Sequence, residues 1–258
     1  MSTLSEIREV VQSNWPSGYH SSFLTDDQTD IYINQAQKWA CRGTIIMPDF
    51  KIINYNFSWL KTEVTASTVN EQRRYALPAG DSDPLKFKSE ISCELINCNN
   101  KRIPLQRRFK RDIENDSSYR DTTAKGTPKC YAVDDFDLWL YPLPDHSNNS
   151  NSAWTINLEY YGYLEDMSDD DDTNTLTNDY NELLEYGATE MGFRYGRDTE
   201  EAEYWRALKE KYFMEMILAD QQLEFTGIEE GMQPLGGTGL GDGEPGTSFY
   251  YENETPYE

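Results

Sequence analysis

The stretch that decides the fold reads WTINLEYYGYLEDMSDDDDTNTLTNDYNELLEYGATEMGFRYG, residues 154–196. Its first part alternates, with Trp154, Ile156, Leu158 and Tyr160 set against Thr155, Asn157, Glu159 and Tyr161. A period of two with one apolar face describes a half-buried antiparallel strand. Its last part repeats at helical spacing through Tyr180, Leu183, Leu184, Gly187, Ala188, Met191 and Tyr195, and Gly196 ends it. Between them, Leu164 to Glu182 carries eight acids and no Lys or Arg, which suits a solvated linker rather than a core. Strand, linker and helix in succession predict an α+β chain.

Toward the C-terminus, Asp198-Thr199 supplies a cap, and Trp205, Leu208, Tyr212, Met216, Ala219 and Leu223 recur at intervals of three and four. So short a join between two helices makes them an antiparallel hairpin. Residues 226–258 hold eight glycines, three prolines and no periodicity, so alone they bury too little to offset their ordering entropy. Phe249, Tyr250, Tyr251 and Tyr257 nevertheless give this tail aromatic anchors suited to a partner.

Toward the N-terminus the period of two persists. Ile91, Cys93 and Leu95 alternate with polar neighbours, as do Phe136, Leu138 and Leu140, so residues 59–163 read as antiparallel β structure. Within it, Lys101 to Arg111 carries six basic residues and no acids, and Pro104 places that stretch on an edge or connection. The first 58 residues read as helices. Thr3-Leu-Ser-Glu6 has capping-box spacing ahead of Leu4, Ile7, Val10 and Val11, and Trp15-Pro-Ser-Gly18 breaks the helix. Thr25-Asp-Asp-Gln28 opens a second helix with an expected buried side of Ile31, Tyr32, Gln35, Ala36 and Trp39. Gly43 then breaks the chain before a further segment from Pro48 toward Phe57. The expected organisation is N-terminal helices over 1–58, a β domain over 59–163, an acidic linker over 164–178, a helical hairpin over 179–225 and a tail over 226–258. The two helical parts are expected to form one bundle, with the β domain inserted between them.

The 258 residues carry a formal charge of −23, a balance that disfavours independent binding to DNA or an anionic membrane. The charge is uneven. Residues 164–182 and 224–258 together hold 16 of the 23 net charges, leaving a mildly acidic body. No apolar run approaches the roughly 18 residues of a membrane helix. Residues 1–20 lack a basic n-region and an apolar h-region, so the expected class is a soluble protein made in the cytoplasm. Four cysteines are too few for a disulfide framework.

Motifs for chemistry are weak. Aligned from Asp170, the acidic run places Asp172 and Asn174 at the third and fifth positions of a calcium loop. The sixth is Thr175 rather than Gly and the twelfth Asn181 rather than Glu, so the pattern fails. A solvated linker that caps the next helix fits better than a metal site or a metal-dependent nuclease. Gly241-Asp-Gly-Glu-Pro-Gly246 matches a dinucleotide-binding spacing, but Pro245 sits inside it and it follows no strand. Only His20 and His146 offer a base for nucleophilic catalysis, and Cys93-x4-Cys98 lacks a second ligand pair. No catalytic residue, cofactor or metal is expected. The basic stretch has only Phe109 as an interleaved aromatic, so Arg102, Arg107, Arg108, Lys110 and Arg111 read as a docking patch for an acidic partner rather than a nucleic-acid groove. The 34 aromatic residues, many on strand faces expected to be wet, suit protein contacts. They also suit a carbohydrate-binding module or hydrolase, which stands as the alternative.

The order of short phrases resembles the head–tail adaptor (connector) proteins of tailed bacteriophages. These phrases are Tyr55-Asn-Phe-Ser-Trp59, Gln72-Arg-Arg-Tyr-Ala-Leu-Pro78-Ala, Lys101-Arg-Ile-Pro104-Leu, Gly126-Thr-Pro-Lys-Cys-Tyr131 and Leu138-Trp-Leu-Tyr-Pro-Leu-Pro144-Asp, then Leu158-Glu-Tyr-Tyr161 and the hairpin from Asp179. They span about residues 25–223; the Gly-rich tail and the dense basic stretch depart from the pattern. The resemblance implies a structural, non-catalytic virion protein at the head–tail interface. It implies a dodecameric ring whose partners are the portal protein, neighbouring subunits and a tail or nozzle protein, with no membrane partner. DNA would pass through that ring without sequence-specific binding. The charge pattern adds a separate expectation: if the acidic 164–182 segment or the tail faces the channel it repels DNA phosphates, with Asp169, Asp170, Asp171 and Asp172 as the channel-facing candidates.

Overall fold

The computed structural model describes residues 2–16, 24–46, 52–80, 85–97, 99–116, 124–146 and 154–226. Helix α1 (Leu4–Ser13) begins at a reciprocal capping box: the Thr3 hydroxyl accepts the Glu6 amide, and the Glu6 carboxylate accepts the Thr3 amide. Leu4, Ile7 and Val11 are buried. Val10, expected beside them, lies at the edge of that stripe and is 41 % exposed. Helix α2 (Asp26–Arg42) is capped by Thr25 and ends at Gly43 with φ +66°, where a Cβ would run into the Tyr55 carbonyl. Its buried face is Thr29, Tyr32, Ile33, Ala36, Gln37, Ala40 and Cys41, while Ile31 and Gln35 are exposed and Trp39 is half-buried. The expected face was rotated because burial here follows polar pairing and small size. The Gln37 amide donates to the Glu165 carbonyl (2.6 Å) and accepts from Asn174 (2.6 Å), and Ala36 packs on a glycine.

Residues 43–57, expected to continue the helices, instead carry the antiparallel strands β1 (Thr44–Ile46) and β2 (Ile52–Asn54). The β-branched Thr44, Ile45 and Ile46 follow directly on the left-handed Gly43. A 3-10 turn at Ser58–Leu60 then enters strand β3 (Lys61–Ser67).

Two four-stranded sheets follow. The first runs β3, β12 (Thr155–Tyr163), β5 (Lys86–Ile96), β6 (Arg102–Pro104), antiparallel throughout. The second runs β4 (Arg74–Ala76), β10 (Asp137–Tyr141), β9 (Cys130–Asp134), β7 (Gln106–Arg107). The β region is not wholly antiparallel, as expected from the alternation. β7 pairs with β9 in parallel, as do the two-residue strands β8 (Lys125–Gly126) and β11 (Leu143–Pro144), and helix α3 (Lys110–Asn115) interrupts it. Segments of two residues carry no periodicity. Between the sheets lies a core that includes Tyr75, Cys93, Leu95, Leu138, Leu140, Ile156, Leu158 and Tyr160.

Strand β12 joins this core to the helices. Trp154, Ile156, Leu158 and Tyr160 enter the sheet core, whereas Tyr161 and Tyr163 pack against the helical one and Asn157 is buried. The face expected to be wet is therefore largely covered. After it, α4 (Thr175–Asp179) is capped by Asn174, which accepts the Leu176 and Thr177 amides. Helices α5 (Asn181–Tyr195) and α6 (Thr199–Thr226) run antiparallel, tied by the Tyr212 hydroxyl to Glu182 (2.8 Å) and by Lys209 to Glu190. Asp198 caps α6 through the Glu201 amide. The buried side of α6 is Ala202, Lys209, Phe213, Met216, Ile217 and Asp220; Trp205, Leu208 and Tyr212 of the expected face are half-buried, Ala219 is exposed, and the side chain of Leu223 lies outside the described residues. Two charged residues on the true face explain the offset. Lys209 pairs with Glu190 beneath Trp39, and Asp220 accepts the Tyr55 hydroxyl (2.7 Å), the Ser58 amide (3.0 Å) and the Ser58 hydroxyl (2.5 Å). Helices α1, α2, α5 and α6 share one core with Phe57 and Leu60.

Candidate functional site

The basic stretch occupies two sheet edges and a helix start. Arg102 lies on edge strand β6, Arg107 on edge strand β7, and Lys110 and Arg111 open α3. Pro104 is tolerated at such an edge because it removes no interior ladder bond. The sequence shows six bases without an acid, yet the fold brings acids to five of them. Arg102 meets Glu94 (3.3 Å), Arg107 meets Glu90, Arg108 meets Asp116 (3.0 Å), Lys110 meets Asp134 (2.6 Å) and Arg111 meets Asp112 (3.8 Å). The patch is thus largely neutralised on its own subunit, and its pull on an acidic partner is correspondingly weak. The hydrogen bond to Asp134 also raises the Lys110 pKa, keeping the ammonium charged above the Trp139 ring at 4.0 Å.

What remains presented is aromatic. Phe109 is 68 % exposed beside a cleft of about 370 Å³ lined by Gln106, Arg107, Arg108 and Asp112. Phe136 is 80 % exposed in the turn between β9 and β10. The Lys110–Asp134 ion pair holds together the two segments that carry these rings, since Phe109 precedes Lys110 and Phe136 follows Asp134 by two. Phe136 was expected to point inward as a strand residue. The preceding Asp134-Asp135 pair, with Asp135 at φ +56°, marks the turn that could have corrected this. Of the strand aromatics expected on wet faces, Tyr141 is buried and Trp139 and Tyr161 are half-buried; Tyr131 and Tyr160 are also buried and Tyr163 is half-buried. No tyrosine- or tryptophan-lined strand face stands open among the described residues for a sugar to stack on.

The acidic run is anchored at its backbone. The carbonyls of Asp170 and Asp172 accept the Ser5 and Leu4 amides (3.1 Å each), satisfying donors that α1 leaves free at its start. Arg8 grips Asp30 in bidentate fashion (2.7 and 2.8 Å) and also donates to Asp170 (2.8 Å), and these carboxylates raise its pKa. Asp172 accepts the Ser168 and Asp169 amides (2.7 and 2.9 Å), which lowers its pKa. The carboxylates of Asp169 and Asp171 extend from this scaffold in exposed positions.

Among the described residues no group of His, Cys, Asp and Glu is arranged to hold a metal ion. Cys41, Cys93 and Cys130 are buried thiols, with Cys41 and Cys93 pushed up to about 11 and about 12 by burial, so none is an activated nucleophile. His146 hydrogen-bonds Thr68 (3.0 Å) and meets Trp154 edge-on, a structural setting. Cys98, His20, the 241–246 glycine motif and the tail aromatics Phe249, Tyr250, Tyr251 and Tyr257 lie outside the described residues. No described helix is long and apolar enough to cross a membrane.

The model of a family described as SU10 adaptor protein matches residues 2–229. No curated protein matches the chain.

Proposed function

Because the chain belongs to the SU10 adaptor protein family, we propose that it is the ring that joins the portal of a phage head to its tail. Membership supports a structural role in the virion, and the single observation that carries the proposal is the extent of the match. It runs from residue 2 to residue 229, through the helical core, both sheets and the hairpin, and stops where the Gly-rich tail begins. The match thus covers the body and leaves out residues 230–258.

In this reading the helices α1, α2, α5 and α6 form a bundle that makes the body of a twelve-membered ring, closed by head-to-tail contacts between copies. The β layer presents Phe109 and Phe136 to the next component, with Arg102, Arg107, Arg108, Lys110 and Arg111 as the polar rim. Aromatic anchors surrounded by paired charges match the anatomy of an interface hot spot. Asp169–Asp172 face the channel, where their charge repels phosphates and keeps DNA sliding. On the portal, or on a neighbouring copy, the tail orders through Phe249, Tyr250 and Tyr251.

Deleting residues 227–258 tests the tail's role. The expected product still folds and no longer joins portal-bearing heads; normal attachment refutes that role. Replacing Asp169–Asp172 with Asn is expected to slow DNA ejection from assembled particles, and an unchanged rate shows the run to be a scaffold alone.

A further inference from the structure

Strand β3 ends its sheet, and its outer edge is unusually complete. Among the described residues its seven residues pair only with β12. The Thr68 amide donates to the Trp154 carbonyl (2.7 Å), which continues the same register and fixes the phase of the ladder. Even-numbered residues of β3 therefore turn their backbone groups toward β12, and Lys61, Glu63, Thr65 and Ser67 turn theirs outward. No proline or bulge blunts this edge, and such an edge is a template for another strand. Beside it, Val64 and Ala66 line a predominantly apolar slot of about 200 Å³ with Tyr75, Leu77, Leu138 and Ile156.

We infer that in the free chain this edge is covered by the chain's own segment Thr247–Thr255, which lies outside the described residues. Between Thr226 and the C-terminus, TSFYYENET is the longest run without Gly or Pro, bounded by Gly246 and Pro256. It is rich in the aromatic and β-branched types that favour strands. An antiparallel register that sets Glu252 opposite Lys61 also sets Phe249 opposite Val64 and Tyr251 opposite Thr62. Both rings then lie on the slot side, and Lys61, which already pairs with Glu159 (2.7 Å), meets a second carboxylate. The origin of the tail is close. Asp220 of α6 is bonded to Ser58, three residues before β3, and Thr226 lies about 9 Å farther along the helix. The intervening 20 residues, Gly-rich, have a coil span of about 25 Å, which places the segment at an effective concentration near millimolar. The inference concerns the protein before assembly and does not depend on the portal reading.

Hydrogen exchange of the full chain tests it. The amides of Glu63, Thr65 and Ser67 are expected to exchange about tenfold more slowly than in the double variant Phe249→Asp, Tyr251→Asp. Equal rates overturn the proposal. Thr65→Pro removes an outward donor while leaving the β12 bonds in place, and it is expected to speed chymotryptic cleavage at 249–251 about tenfold; an unchanged rate also overturns it. If that variant misfolds, the tail variant decides alone, since its substitutions touch no described contact. Protection should persist on tenfold dilution, and protection that falls on dilution replaces the chain's own tail with that of a second copy.

Discussion

Gly187→Ala puts two physical effects in direct opposition. In an exposed helix this change stabilises by about 1 kcal/mol, because glycine loses more backbone freedom on folding. Gly187, however, lies where α5 crosses α2. A Cβ there would stand 2.6 Å from the Cβ of Ala36 and 3.5 Å from its Cα and from the Lys209 Cδ. Unstrained carbon contacts begin near 3.5 Å, so the helices must part by about 1 Å. Ala36 has no rotamer with which to yield, and Leu184 and Ala188 beside the glycine are fully buried. Overpacking of this kind costs about 1–3 kcal/mol. The net expectation is a loss of up to about 2 kcal/mol, a fall of up to about 1 M in the urea midpoint with unchanged slope. A double-mutant cycle isolates the contact. Ala36→Gly makes room, so the double variant should be more stable than the sum of the two singles by about 1–2 kcal/mol. A more stable Gly187→Ala, or strict additivity, refutes the reasoning.

Asp220→Ala removes the acceptor of the Tyr55 hydroxyl and of two Ser58 donors and is expected to cost about 3–5 kcal/mol in urea unfolding, with faster amide exchange over residues 55–60. The Asp172 pKa is depressed by two amide donors, so its contribution is present above the ordinary carboxylate value of 3.8 and lost as pH falls through the lower folded value. Asp172→Asn should therefore flatten stability against pH in that acidic window, as followed by thermal unfolding. Phe109→Ser with Phe136→Ser should leave unfolding within about 0.5 kcal/mol of the parent and weaken binding of the next tail component to adaptor-bearing heads at least about tenfold. Charge reversal at Arg107 and Arg108 is a poorer probe, because it sets new carboxylates against Glu90 and Asp116.

The parts of the fold carried by local chemistry were legible in the sequence. The Thr3–Glu6 box, the Gly43 stop, the alternation of Trp154 to Tyr160 and the Asp198 cap each depend on residues within a few positions of one another. What was not legible depends on partners far along the chain. The expected buried face took in Ile31 and left out Gln37, because the local pattern carries no sign of the Glu165 carbonyl and Asn174 that satisfy the glutamine. Lys209 and Asp220 hid the true face of α6 for the same reason. At the candidate docking surface the bases were visible, but Glu90, Glu94, Asp116 and Asp134 were not seen to oppose them. The patch therefore changes from a basic surface to two exposed phenyl rings in a neutralised frame.

The most direct test of the adaptor account is imaging of the full chain mixed with portal-bearing heads, beside the chain alone. The account predicts a twelve-fold ring of this protein seated on the portal vertex, whether or not the free chain forms rings. Heads that leave the portal vertex bare at saturating protein contradict it.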